Sequence, residues 1–371
     1  MTKMRNPLLF LIGTLALLLY GCVDTIILDP DSDPNDNVVI NGKLTFGEPS
    51  TIFVQVNRFR PVDRFSNASP VGVERVDLIE VESGDSYRVP VSTQRRGFFG
   101  EITPGEPTIS IELGRTYQIE VELNEGGIYR SIPQELYAVP QIEELTYTLS
   151  EERGMSPSGI PYQNDIITYQ VRTTYERPDG AGNANLLWSR RGIFELDEMP
   201  GDDFSNICYL EYPIVNARTP ILRGAEFTEG TGQSILVDVY RSNINYRYAD
   251  GFLFTVFQQS VSREVVDYWD HVNTVINRTG TISEDPAGEV RGNMFAVNDP
   301  EEIVYGIFYA VVQDSASIYI SPGEVGNPGH LCPIPPSRDP LIPPTPTICD
   351  DCEDLWEEGP VYLSPPPGWG G

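Results

Sequence analysis

Apolar and polar positions alternate with a period of two along much of the chain after residue 37. Val38-Val39-Ile40 opens the pattern and runs into Asn41-Gly42, a pair that favours a turn. Residues 51–56, 73–81 and 87–91 carry β-branched and aromatic residues in the same alternation, with Ser83-Gly84-Asp85 as a turn. Residues 109–113 alternate up to Gly114. Residues 117–123 alternate again, and Asn124-Glu125-Gly126-Gly127 sends the chain back through Ile128-Tyr129. Such patterns mark strands with one buried face, and short strands between regular turns predict a sandwich. We therefore expect an immunoglobulin-like β-sandwich over residues 38–140. Val139-Pro140 is its exit, because proline cannot donate to a central ladder.

Residues 141–330 read as a second β-rich domain. Strands are expected over 145–149, 166–173, 186–188, 193–196, 235–240 and 252–257, and over 303–312 around Gly306. One segment has the helical period. Val265, Trp269, Val272 and Ile276 fall on one face of residues 262–276, and Glu264 sits in the first turn, where the helix dipole favours an anion. Residues 331–371 are rich in proline and lack the pattern of a core, so a tail of extended chain is expected. The fold class is mainly β, with two β-rich domains, one amphipathic helix and a Pro-rich tail.

The N-terminus has a different grammar. Lys3 and Arg5 precede an almost wholly apolar run over residues 8–19, too short for a comfortable membrane span of about 20 residues. A basic start and a short apolar core are the anatomy of a signal peptide over residues 1–21. Leu19-Tyr20-Gly21-Cys22 resembles the bacterial lipobox, so Cys22 is the expected lipidation site and the chain is expected on a membrane outside the cytoplasm. Residues 22–37 hold Asp24, Asp29, Asp31, Asp33 and Asp36 and read as a solvated tether. The Asp29-x-Asp31-x-Asp33 spacing is not an EF-hand, since Pro34 and Ile40 stand where that loop needs Gly and Glu. An acidic run after the lipidated Cys resembles the surface-export signal of some lipoproteins, which points to the cell surface.

The chain carries 25 basic and 54 acidic residues, a net charge of −29. The leader removes only Lys3 and Arg5, which leaves 23 basic residues and a charge of −31. Such a body repels nucleic acid. Cys208, Cys332, Cys349 and Cys352 remain after Cys22, and four cysteines outside the cytoplasm permit two disulfides in three connectivities. Cys349-Asp-Asp-Cys352 also has the spacing of a metal or redox pair. It follows a Pro-rich stretch, however, rather than the strand that a redox motif would follow.

The sequence offers no nucleophile elbow, phosphate loop, dinucleotide fingerprint or zinc-protease helix. Its two histidines are His271, on the expected helix, and His330, in a loop. The pairs Glu143-Glu144, Glu151-Glu152, Glu301-Glu302 and Glu357-Glu358 read as solvated faces in so acidic a chain. Trp188 and Trp269 read as core, and Trp356 and Trp369 as exposed or partner-facing. The expectation is a binding or accessory protein without a cofactor, not an enzyme.

Several runs, in order, carry a family resemblance. They are Val38-Val-Ile-Asn-Gly42, Val76-Asp-Leu-Ile79, Leu113-Gly-Arg-Thr-Tyr117, Leu136-Tyr-Ala-Val-Pro140, Phe257-Gln-Gln-Ser-Val-Ser262, Gly292-Asn293 and Val304-Tyr-Gly-Ile-Phe308. The chain resembles the outer-membrane lipoproteins of the domain of unknown function 4249. The family has no catalytic residues to transfer. Its resemblance implies an accessory partner of a TonB-dependent outer-membrane receptor in nutrient uptake, with its ligand undefined. A structural or assembly component of the envelope is the alternative, and a surface hydrolase a third. Asp24-Thr25-Ile26 and Asp314-Ser315-Ala316 also resemble the O-glycosylation signal of the same bacteria.

Overall fold

The computed structural model describes residues 37–58, 71–92, 97–104, 109–156, 158–176, 185–198, 206–214, 218–227, 232–277, 290–332, 349, 351–352 and 360–370. The fold is mainly β. In chain order the strands are β1 Val38–Phe46, β2 Ser50–Arg58, β3 Val73–Glu80, β4 Ser86–Arg88, β5 Val91–Ser92, β6 Gly97–Ile102, β7 Thr116–Leu123, β8 Ile128–Ser131 and β9 Gln134–Glu135. Then come β10 Ile142–Met155, β11 Pro161–Tyr175, β12 Asn185–Asp197, β13 Ile207–Pro213, β14 Ile221–Leu222, β15 Gln233–Asn243 and β16 Phe252–Val261. The helix α1 Arg263–Ile276 follows, and β17 Met294–Ala296, β18 Phe308–Ile320 and β19 Val361–Tyr362 complete the series.

One long sheet runs through the molecule in the order β19-β13-β12-β16-β18-β1-β2-β6-β5, with β14 beside β12. A six-stranded sheet, β17-β8-β7-β3-β4 with β9 beside β7, covers one end of it, and a three-stranded sheet, β10-β11-β15, covers the other. Strand alternation shows that both covers lie on the same face. On β18, Phe308 and Ala310 enter the first core while Ile320 enters the second, and these positions share parity. In the first core Ile40, Leu44, Ile52 and Val54 of the long sheet meet Val76, Leu78, Ile119 and Val121 of the six-stranded sheet. In the second, Phe254 stacks on Tyr169 of the three-stranded sheet at a centroid distance of 3.9 Å. Each such fully buried side chain contributes about 1.5–3 kcal/mol of transfer free energy.

The sandwich expected over residues 38–140 thus draws on distant chain. β1 pairs with β18 in parallel, from Gly42 against Phe308 to Phe46 against Val312, and β17 adds to β8. A parallel partner cannot come from a hairpin, so it has to come from far along the sequence.

The other face of the long sheet carries α1. Ser262 caps the helix through its side chain, which accepts from the Val265 amide. Val265 and Val266 are fully buried against Leu187, Val261, Ile307 and Val311. Ile276, the last member of the expected apolar face, is 57% exposed, because the helix end runs off the sheet.

Several local expectations are corrected. Asn41-Gly42 lies inside β1 rather than in a turn. A β-carbon on Gly42 would stand 3.0 Å from the Phe308 ring, so glycine serves close packing there. Residues 109–113 are not a strand. The Tyr117 hydroxyl donates to the Ser110 carbonyl at 2.9 Å and accepts from the Glu112 amide at 2.8 Å, which folds this segment into the tyrosine corner of immunoglobulin-like domains. The stretches 186–188 and 193–196 are one strand, β12, carried through Ser189-Arg190-Arg191; the Arg190 guanidinium lies 5.2 Å from the Tyr240 ring centre and that of Arg191 5.2 Å from the Phe257 ring centre. The strand expected over 303–312 begins at Phe308 and continues to Ile320. Gly306 precedes it at φ 93°, in the left-handed region, with its α-carbon close against the Ile40 backbone.

Candidate functional site

Three places gather the polar and exposed groups that are not needed for the two cores. The first is the joint where the chain passes from one sandwich to the other. Gln258, fully buried on β16, donates to the Pro140 carbonyl at 2.6 Å and to the Thr173 hydroxyl at 3.2 Å, and accepts from the Trp188 indole at 3.0 Å. Two residues on, Ser260 donates to the Tyr137 carbonyl at 2.5 Å. Two further, Ser262 donates to Gln134 at 2.7 Å. Alternate residues from the end of β16 to the cap of α1 therefore grip the segment 134–140. Beside this seam lies a cleft of about 670 Å³ bordered by Pro140, Glu143, Tyr175, Glu176, Asn185 and Ser260. At its mouth the hydroxyls of Ser234 and Thr174 donate to Glu143 and hold its carboxyl below the usual carboxylate range.

The second place is the face of the long sheet that carries α1. Between α1 and the C-terminal tail it holds half-buried Phe257, buried Gln259, half-buried Gln313 and exposed Ser315 and Ser317, with Lys43 alongside on β1. Lys43 donates to Gln313 Oε1 at 3.5 Å, and Gln259 donates to the same oxygen at 2.9 Å. Burial pushes the Lys43 amine down to about 8. At the tail end of this face Trp369 inserts between Tyr209 and Tyr319, edge-on to both, at 4.9 and 5.2 Å. Burial raises the Glu195 carboxyl, while Tyr209 and Trp369 donate to it and pull the other way. Asp250, nearby, accepts from His330 at 2.9 Å in the tautomer that carries its proton on Nδ1.

The third is an arm. β10 and β11 pair from Ile142 to Met155, but β15 accompanies β11 only as far as Ile166. Residues 151–164 thus make ladder pairs only with one another among the described residues, with Arg241 of β15 reaching Glu152 at 3.1 Å. Met155 at the tip is 67% exposed and Ile160 64%.

The sequence-derived site residues fall as follows. Cys22, Asp24-Thr25-Ile26 and Trp356 lie outside the described residues. Cys208 pairs with Cys352, and Cys332 with Cys349, so the two cysteines of Cys349-Asp-Asp-Cys352 bind different partners rather than each other or a metal. Among the described residues no group of three or more His, Cys, Asp or Glu is placed to hold a metal ion. His271 is half-buried on α1 and remote in sequence from the His330–Asp250 pair. Trp188 is core, at 1% exposure. Trp369, expected to face solvent or a partner, is half-buried against its own chain. Ser315 of Asp314-Ser315-Ala316 is exposed, and Asp314 accepts from the Ile142 amide at 2.6 Å. Lys43 carries one signal in the sequence: beyond residue 3 it is the sole lysine of the chain.

The fold and its polar seams define a mainly β protein of two sandwiches sharing one sheet, with its motifs placed at the joints. The chain belongs to the family described as domain of unknown function (DUF4249), whose model matches residues 23–317. No curated protein matches the chain. The geometry explains much of the family resemblance. Phe257–Ser262 and Leu136–Pro140 are the two halves of the joint. Asn293 bonds both the amide and the carbonyl of Phe308, at 2.8 and 2.7 Å, where Gly42 and Gly306 let β1 and the start of β18 close together.

Proposed function

We propose that this protein is a lipid-anchored outer-membrane protein that acts by binding, as an accessory partner of a TonB-dependent receptor in nutrient uptake. The observation that carries this reading is polarity along the long sheet. Val38, the first residue after the acidic tether, lies at the start of β1, where Tyr305 donates to its carbonyl. β18 runs parallel to β1 and ends beside Tyr147, which donates to Glu324 at 3.0 Å. β10 continues in that direction to the apolar tip. At about 3.3 Å per strand residue, anchor end and arm tip stand on the order of 60 Å apart. A body held to a membrane by one end holds out an uncharged tip at the other, suited to a protein partner.

Two further features support the reading. The tail is closed by two disulfides, which persist outside the reducing cytoplasm. The family match begins at residue 23, directly after the expected lipidation site Cys22. The test is affinity purification from detergent-solubilised outer membranes, with the wild-type chain and with a Met155→Asp/Ile160→Asp variant. A β-barrel receptor recovered in near-equal amount with the wild type and lost with the variant is the expected result. Recovery of the wild-type chain alone sinks the receptor reading. Equal recovery with both proteins moves the contact away from the arm.

A further inference from the structure

Lysine is nearly absent from this chain. Of its 25 basic residues only Lys3 and Lys43 are lysines, and Lys3 lies in the leader segment. The described arginines are largely spent on acidic neighbours, as where Arg75 meets Asp77, Glu120 and Glu122 and Arg223 meets Asp267 and Asp270. Lys43 is treated differently. In a chain with 54 acidic residues it has no ion pair among the described residues, and no charged group acts on its amine. Its one hydrogen bond is the long one to Gln313 Oε1. An ammonium differs from a guanidinium in being a compact charge that gives up its proton when desolvated.

The amides around it are set by that charge. An ammonium only donates, so Gln313 has to turn its oxygen to Lys43. Gln259 then has to turn its nitrogen to the same oxygen. This leaves Gln259 Oε1, on a side chain 2% exposed, with no donor. Flipping Gln259 would set two oxygens against each other, and flipping Gln313 would set a donor against the ammonium. The orphaned acceptor is therefore a consequence of the unpaired cation. Tyr309, the register partner of Lys43, and Tyr268 on α1 flank the cluster. Burial raises both hydroxyls, so they are neutral and supply no countercharge. Next along the face, Ser315 and Ser317 are exposed, which leaves an approach along the sheet.

We propose that Lys43, Gln313 and Gln259 form a binding site for a small carboxylate that bears a hydrogen-bond donor beside its charge, a hydroxy or amino acid. The carboxylate supplies the missing countercharge to Lys43, and the adjacent hydroxyl or amino hydrogen supplies the missing donor to Gln259. The site does not depend on the receptor reading, since it is built from the sheet itself.

The scarcity of lysine makes the test direct. Selective carbon-13 labelling of lysine in the full chain gives signals from Lys3 and Lys43 alone, and Lys43→Arg assigns them. The probes are glycolate, with charge and donor, acetate, with charge only, and glycolamide, with donor only. Glycolate is expected to raise the Lys43 titration midpoint and to bind at least about tenfold more tightly than acetate, a difference of about 1.4 kcal/mol. Glycolamide should leave the midpoint unmoved. Gln259→Leu should abolish the preference for glycolate while the acetate effect persists, a readout that loss of folding would not give. The proposal is overturned if glycolate leaves the signal in place, or if chloride and acetate move it as far as glycolate. It is also overturned if the amine is already neutralised and Asp→Asn changes at residues 24–36 release it, since the occupant is then the chain's own tether.

Discussion

Gln258 and Pro140 meet across the joint, the amide of one donating to the carbonyl of the other at 2.6 Å. Pro140 ends the first sandwich as a residue with no N–H of its own, and its carbonyl is answered by a side chain instead of a strand. A buried carbonyl left unanswered is costly, so this single amide closes the sheet edge that proline opens.

Replacement of Gln258 by Leu should therefore be severe. It strands the buried Trp188 indole and the partly buried Pro140 carbonyl, while the Thr173 hydroxyl keeps its bond to the Gln141 carbonyl, at a cost of about 3 kcal/mol. Denaturant unfolding followed by tryptophan fluorescence measures it. A loss within the scatter of a surface substitution would show that the joint is held by apolar packing alone.

Tyr117→Phe keeps the ring in the core and removes only the hydroxyl that folds residues 110–112 back. The expected loss is about 1–2 kcal/mol, since one amide and one carbonyl lose their partner near the surface. Hydrogen exchange at the Glu112 amide should quicken first, ahead of global unfolding.

Lysine 43 gives a pH signature in ligand-free buffer. Its folded midpoint is about 8 against 10.5 for the free side chain. Below pH 8 both states hold the proton and the folded state bears the full desolvation penalty. Between these values the unfolded chain holds more protons, so stability rises with pH and the penalty is gone above them. Lys43→Met should stabilise the protein by about 3 kcal/mol at neutral pH, and its advantage over wild type should shrink from pH 8 upward. An advantage independent of pH would place the Lys43 amine in water.

The two disulfides differ in reach. Cys208–Cys352 closes a loop with a sequence separation of 144, and Cys332–Cys349 one of 17. In the chain-entropy account these contribute about 5 and about 3 kcal/mol respectively. Peptide mapping without reduction should recover these two pairs, and Cys208→Ser/Cys352→Ser should cost more stability than Cys332→Ser/Cys349→Ser. The reverse order would mean that strain or residual structure outweighs loop length.

The pattern of apolar positions was enough to place many of the strands and the helix, because alternation and the 3.6 period survive wherever one face is buried. It misled where a residue's role is tertiary. Asn41-Gly42 has the chemistry of a turn, yet Gly42 is glycine because Phe308 arrives from 266 positions later. Ile109 and Ile111 alternate, yet Tyr117 claims the backbone of Ser110 and Glu112 beside them. The half-strand after Val312 has no apolar alternation to announce it, because Gln313 is half-buried and Ser315 and Ser317 are exposed on one of its faces. The cysteines were legible as a set and not as pairs. Family runs could be ordered from sequence, but that Phe257–Ser262 holds Leu136–Pro140 is visible only when the strands are side by side.

Parallel pairing of β1 with β18 also fixes how the molecule answers a pull. Tension applied between Val38 and the arm draws β1 from its beginning and β18 from its far end. The five registered pairs from Gly42–Phe308 to Phe46–Val312 then bear the force together, in shear, instead of parting one after another as in an unzipped hairpin. The chain is therefore strongest mechanically along the line of these two strands.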